Sequence, residues 1–352
     1  MSKYSNLISL TIKDIAKMCN VSPSTVSRAL NNSSDISEET RQYILSVVKD
    51  TGFVPNSSAR NLKRLDVGCI ALIVKGIENI FFTDIIKTVE SECFEKGYIT
   101  LMRHVDMEQD ELDVAISLIK EQNLRGIIFM GGNCEHEKTK LYNIKIPCVF
   151  CTYHVKNSKT FHNFHSVCVD DQCESMRIVD YLLELGHRKI AIMVDHDGLE
   201  SISQARLDGY KKAYRNHGLE VDKNLIYNVE SCSEQYTVEN GYKMACKIFE
   251  SKKTVTAIYG ISDFLAIGAC RAAVDYGYKI PDDLSVVGFD GLRLTQYFIP
   301  RLTTIEQPMY EMALKTIHIL LDEIQGITAP RQVILNGRLV VGESSAPPRL
   351  NV

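Results

Sequence analysis

From Asp66 onward, short apolar runs alternate with amphipathic helical stretches, and the alternation occurs twice in succession. The first series reads as strands over 68–74, 99–102, 126–130 and 147–152, with helices over 81–96 and 109–122 between them. The second reads as strands over 167–169, 189–194, 225–229, 255–259 and 285–289, with helices over 171–185, 203–217, 237–250 and 264–277. A helix over 309–325 and short strands over 332–335 and 338–342 complete the pattern. Apolar strands joined by helices are the signature of parallel sheets covered on both faces. Residues 66–352 are therefore expected to form a bilobed, doubly wound α/β body.

The grammar before Asp66 is different. Residues 11–53 read as three short helices. Thr11 with Asp14 three residues on is a capping-box pattern. Ser22 can cap a second helix with Pro23 at its first position. Ser37 can cap a third, whose Glu38 and Glu39 suit the positive end of the helix dipole, and Gly52 suits a left-handed stop. Charge divides along the same boundary. Residues 1–64 hold 9 Lys and Arg against 5 Asp and Glu, while the remainder holds 31 against 39. A basic head on an acidic body points to a phosphate-facing module joined to one that does not touch nucleic acid.

The run TIKDIAKMCNVSPSTVSRALN has the order of a helix-turn-helix. Asn20 stands where the turn needs a positive φ, and Val21 fills the space between the helices. The second helix then offers Ser22, Ser24, Thr25, Ser27 and Arg28 outward. Short hydroxylic side chains let a helix enter a major groove, and Arg28 has the reach for a bidentate contact to guanine. A generic three-helix unit with a hydroxyl-rich face is the bland alternative.

Together with SxxTRxxI (37–44) and GFVPNSSARNLK (52–63), this run resembles the DNA-binding head of the lactose/galactose repressor family. The resemblance implies that Pro23, Ser24 and Arg28 face bases, and that Thr11, Ser22, Thr25, Ser27 and Asn31 lie near phosphates. It also implies a hinge helix carrying Asn56, Ala59 and Leu62 that folds only on DNA. The residues agree with this: eight residues are too few for a lone helix in water. Ala59 permits close packing, and Leu62 suits a wedge in a minor-groove base step. An interdomain contact is the other use for Leu62. Where the family usually has Ala-Gly, this chain has Cys19-Asn20.

The resemblance continues through GHRKIAIM (186–193), RLDGY (206–210), SDFLAIGA (262–269), GYKIPDDLSVVGFDG (277–291) and PRLTTIEQP (300–308). Periplasmic sugar-binding proteins share the bilobed architecture. Ligands of such sheets bind beyond the carboxyl ends of strands. The resemblance implies an effector site of Arg206 as fork donor, Asp290 as acceptor, Asp263, and the aromatics Phe82 and Tyr236 from opposite lobes. An interlobe Arg206–Asp290 ion pair and ordinary core packing of the two aromatics are the structural alternatives. Two departures bear on the ligand: Thr152-Tyr153 stands where many members have Asp, and Ser262 where many sugar binders have Asn.

Other signals carry less. Cys148 and Cys151 form a CxxC with His154, His162 and His165 nearby, but in a strand two residues three apart point to opposite faces, and no metal or other cofactor is expected. GxGxxG, P-loop and GxSxG patterns are missing, so the chain is not read as an enzyme. QPMYEMA (307–313) is similar to the catabolite control proteins of the family, yet His318 and Asp322 stand where those carry basic residues. The start lacks a signal peptide, and no apolar run reaches about 18 residues, which with 11 cysteines reads as a cytoplasmic chain with reduced thiols and no membrane partner.

The reading is thus a helix-turn-helix domain (1–55), a hinge helix and linker (56–65), and an effector-binding and dimerisation domain (66–352). Its partners are a small-molecule effector, with a sugar the expected class, and double-stranded DNA. A homodimer on a near-palindromic operator follows from two-fold symmetry, and the ending SSAPPRLNV lacks a heptad helix for a tetramer. A receptor of the same fold for a nucleobase or other non-sugar ligand is the alternative.

Overall fold

The computed structural model describes residues 10–30, 33, 35–53, 68–76, 79–106, 108–132, 136–154, 163–195, 201–229, 236–251, 253–327 and 332–349. The chain divides into two compact units, Met1–Val67 and Gly68–Val352. Asn31, Asn56, Ala59, Leu62 and His162, and with them the expected hinge, lie outside the described residues.

The first unit contains α1 (Ile12–Met18), α2 (Pro23–Leu30) and α3 (Glu38–Thr51). The capping signals act largely as read. The Asp14 carboxylate accepts from the Thr11 N–H at 2.9 Å and from its hydroxyl at 2.6 Å. Thr11 and Asp14 form the capping box of α1, and the Thr11 hydroxyl also donates to the Asp14 carboxylate. Ser37 Oγ accepts from Thr40 N, and Gly52 closes α3 at φ 61°, where a Cβ is strongly disfavoured. Asn20 holds φ 53° in the turn. Ile15, Ala16, Cys19, Val26, Ala29, Ile44 and Phe53 bury together, with Val21, Val47 and Val48 packed partly against them.

The second unit holds two six-stranded sheets. Lobe 1 consists of β1 (Cys69–Lys75), β2 (Ile99–Val105), β3 (Leu124–Met130), β4 (Cys148–Cys151), β5 (Phe164–Val169) and β11 (Gln332–Leu335), in the order β11-β5-β4-β3-β1-β2, with every pairing parallel. Lobe 2 consists of β6 (Ile190–Val194), β7 (Ile226–Asn228), β8 (Ala257–Gly260), β9 (Ser285–Asp290), β10 (Thr303–Glu306) and β12 (Arg338–Val340), in the order β12-β10-β9-β8-β6-β7. Only the β10–β12 pairing among these is antiparallel. The helices of lobe 1 are α4 (Phe81–Glu95), α5 (Glu111–Glu121) and α6 (Lys138–Asn143); those of lobe 2 are α7 (Asp171–Glu184), α8 (Ile202–Asn216), α9 (Val238–Glu250) and α10 (Asp263–Asp275). Helix α11 (Met309–Ile324) follows β10 and packs on α4 and on β3, β4 and β5 of lobe 1.

The connections orient the lobes. Asp170 alone separates β5 from α7, Gln307 and Pro308 separate β10 from α11, and Asn336 and Gly337 separate β11 from β12. Crossings this short require the carboxyl ends of the two sheets to face each other. In each sheet the strand order reverses once, between β1 and β3 in lobe 1 and between β6 and β8 in lobe 2. Such switch points open the crevice in which doubly wound sheets hold ligands.

Helix α6 was not among the expected elements, and three strands depart from the expected pattern. Strand β10 falls in a Thr-Thr-Ile run that lacks the apolar character of its neighbours, because Thr303 and Thr304 are fully buried with their hydroxyls bonded to Ser345 and Asp263. Strand β5 begins three residues earlier than expected, since His165 and Ser166 are buried against Glu323 and His154. Strand β2 runs on through Arg103 and His104, which an edge strand can leave exposed. Cys148 lies in the core on one face of the lobe 1 sheet and Cys151 in the core on the other, as the strand period requires.

Candidate functional site

The outer face of α2 is built by its own caps. Ser22 Oγ accepts from Thr25 N at 3.1 Å and lies 2.7 Å from Ser24 Oγ and 2.8 Å from Thr25 Oγ1. Val26 and Ala29 turn inward, which leaves Ser22, Pro23, Ser24 and Arg28 exposed and Thr25 and Ser27 half-buried. Thr11 is exposed at the start of α1. The face thus offers hydroxyls and one guanidinium on a helix whose other side is fixed by the core.

In lobe 2 the structure brings Arg206, Asp290 and Tyr236 to the carboxyl pole of one sheet. Arg206 is the fifth residue of α8 and is nearly buried. Its Nε donates to Asp171 Oδ1 at 2.8 Å, its Nη1 donates to the Ile261 carbonyl and stands 3.6 Å from Asp290 Oδ1, and the guanidinium lies 3.6 Å over the Phe289 ring. Burial works against its charge, but Asp171 and then Asp290 hold its pKa above the ordinary value. The Arg206–Asp290 pair is contained within lobe 2, so the interlobe alternative is set aside. Asp290 sits at φ 116°, a region L residues seldom adopt, and Gly291 follows at φ 72°, where a Cβ would meet the Glu306 backbone. Gln307 Nε2 donates to Asp290 Oδ1 at 2.8 Å, and burial pushes the Asp290 carboxyl up to about 6. Strained residues of this kind often mark ligand sites.

Asp263 is placed differently from the effector-contact role expected of it. It has no exposed surface, and its two oxygens accept from Thr304 Oγ1 at 2.6 Å and from Leu292 N at 2.7 Å. Its carboxyl braces the turn that follows Asp290, beneath the pole. Sequence reasoning missed Asp195. It follows the last residue of β6, its N–H donates to Ser203 Oγ at 3.1 Å, and its carboxylate accepts the Tyr236 hydroxyl. The rule that singled out Asp290, a carboxylate at the carboxyl end of a buried strand, also points to Asp195.

In lobe 1, Phe82 lies on the first turn of α4, largely buried, edge-to-face with Phe81 at 5.6 Å and close against Gly131 at the end of β3. Thr152, just past β4, holds φ 84° and accepts the Gly131 N–H at 3.4 Å. Both lobes therefore present a strained polar residue at a strand end. Sequence reasoning also missed a buried polar group here. Lys75 Nζ donates to the Gln109 carbonyl at 2.8 Å and pairs with Glu111 Oε2 at 3.2 Å, and His136 Nε2 lies 3.7 Å from Glu111 Oε1. Burial holds the His136 imidazole below its ordinary pKa.

Comparison with known proteins places this geometry. Residues 11–56 match the family model for bacterial regulatory proteins, lacI family, and residues 179–345 match that for a periplasmic binding protein-like domain. The chain is 33% identical over 342 residues to the HTH-type transcriptional regulator MalR of Clostridium butyricum, covering 95% of this chain and 99% of that one. Its fold is shared by the lac repressor dimer bound to operator and the anti-inducer ONPF, with a TM-score of 0.74 at 22% identity over 96% of this chain and 99% of the other. It is also shared by the transcriptional regulator CelR–cellobiose complex, with a TM-score of 0.69 at 23% identity over 95% and 99%.

Proposed function

The chain belongs to the lacI family of bacterial regulatory proteins, and from that premise we propose how it works as a DNA-binding transcriptional regulator. As a homodimer it recognises a near-palindromic operator through the exposed face of α2, with Arg28 reading a base and Ser22, Thr25 and Ser27 contacting phosphates. A small molecule binds between the carboxyl poles of the two lobes, with Asp290 and Tyr236 as polar contacts and Phe82 as an apolar wall. A sugar is the expected class, as in the cellobiose complex that shares the fold. Binding changes operator affinity, so the chain converts the concentration of a metabolite into occupancy of a promoter in the cytoplasm. No catalytic step is proposed for the cleft.

The observation that carries this reading is the pairing, in one chain, of a hydroxyl-and-guanidinium helix face with two facing sheet poles that each hold a strained polar residue. Selection of binding sites from a random DNA library with the full chain tests the first half. A two-fold symmetric motif is expected, and enrichment of no motif would contradict it. A thermal-shift screen against sugars tests the second half, where a rise in melting temperature is expected for one sugar and its close analogues.

A further inference from the structure

The lobe 2 pole has a charge balance that narrows the ligand class. Four acidic side chains gather there: Asp171 and Asp290 on Arg206, Asp195 on Tyr236, and Asp263 beneath the turn. The Arg206 guanidinium is turned inward, with its donors directed to Asp171, the Ile261 carbonyl and Asp290. A buried arginine already engaged on two carboxylates is a poor seat for a phosphate or carboxylate, because an incoming anion must displace one partner and leave it buried without its counter-charge.

Helix N-termini are the other usual anion seats, and four of them end at this pole. Each has one of its first-turn N–H groups taken by its own cap. Asp170 accepts from Cys173 N at 2.9 Å, Ser201 from Gln204 N at 3.1 Å, Thr237 from Asn240 N at 3.1 Å and Ser262 from Leu265 N at 3.3 Å. Among the described residues that touch Asp195 and Asp290, carboxyl acceptors thus outnumber the one cation, Arg206, which is already engaged.

We infer that this pole selects its effector by charge, taking hydroxyl or ammonium donors on Asp195 and Asp290 and rejecting ligands that place a phosphate or carboxylate there. The inference rests on the reading of the cleft as the effector site and specifies what that site accepts, a neutral or amino-substituted sugar. Asp195 is its specificity-determining residue. It lies at the β6–β8 switch point, and Tyr236 helps to hold its carboxylate in place by donating to it.

Calorimetric and thermal-shift titrations of the full chain with charge-matched probes test it, at constant ionic strength: ribose and ribose 5-phosphate, glucose, glucosamine and glucose 6-phosphate, cellobiose and its phosphorylated form. A neutral or amino member is expected to bind, with its phosphorylated counterpart weaker by at least about tenfold. In Asp195→Asn that gap is expected to narrow, whereas Tyr236→Phe, which removes the hydroxyl and keeps the carboxylate, is expected to preserve it. A phosphorylated member that binds as tightly as its neutral counterpart overturns the charge rule while leaving the effector cleft intact. Silence from every probe removes the sugar-effector reading and the charge rule with it.

Discussion

Arg206 Nη1 lies 3.6 Å from Asp290 Oδ1, inside a guanidinium whose Nε is committed to Asp171 at 2.8 Å. The arginine is therefore a structural bridge between the start of α7, the end of β8 and the end of β9, and Asp290 is the member of the bridge that also occupies a strained strand end.

The two residues should respond differently to substitution. Arg206→Ala leaves Asp171 and Asp290 buried without their counter-charge, a loss expected to cost about 3–5 kcal/mol of folding stability. Asp290→Asn keeps the shape and the Gln307 contact region, so it should weaken the effector by about 1–3 kcal/mol with a smaller effect on the melting transition. Chemical denaturation and effector titration of both variants separate the roles. Equal loss of stability in the two variants would show that Asp290 serves only the fold.

The Asp290 carboxyl also gives a pH dependence. Burial raises it from 3.8 to about 6, and burial raises Asp263 in the same direction. A carboxyl with a raised folded-state pKa contributes stability that is present below its ordinary value and lost as pH rises through about 6. Its value as an acceptor runs the other way, because only the ionised form accepts on both oxygens. Effector affinity should therefore rise as pH increases through about 6, and Asp290→Asn should flatten that rise. A wild-type affinity that is constant across this window would contradict the assignment.

In the head, Arg28→Ala should lower specific operator affinity by roughly 1–3 kcal/mol and relax preference at one base pair in each half-site. Competition binding with single-base operator variants measures both effects. An equal loss on operator and on random DNA would place Arg28 on a phosphate.

Lys75, the last residue of β1, and Glu111 form a buried pair at the carboxyl end of the lobe 1 sheet. Lys75→Met alone should destabilise by about 3–5 kcal/mol, because Glu111 stays buried without the lysine that balances its charge. Adding Glu111→Leu should recover most of that loss. A double variant as unstable as the sum of the singles would show that the pair is not the unit.

Much of this was legible in the sequence, for identifiable reasons. Gly52, Asn20, Ser37 and the Thr11–Asp14 pair act within three or four residues of themselves, so their roles can be read locally. The strands with continuous apolar runs were equally plain. What escaped depends on partners far along the chain. Thr303 and Thr304 read as polar until Ser345 and Asp263 are placed against them. Lys75 ends an apolar run whose charge is explained only by Glu111, and Asp195 acquires a role only beside Tyr236. The family resemblance gives Asp263 an effector role, and only the fold shows its two oxygens accepting from Thr304 and Leu292.

The central claim is that one chain couples a ligand in the cleft to DNA on the head. Calorimetric titration of the selected operator into the full chain, with and without a saturating amount of the stabilising sugar, tests it most directly. The account predicts a change in operator affinity of roughly 5- to 150-fold, and by reciprocity the same factor in sugar affinity with and without operator. Identical operator affinities in the two titrations would contradict it, even with both ligands bound.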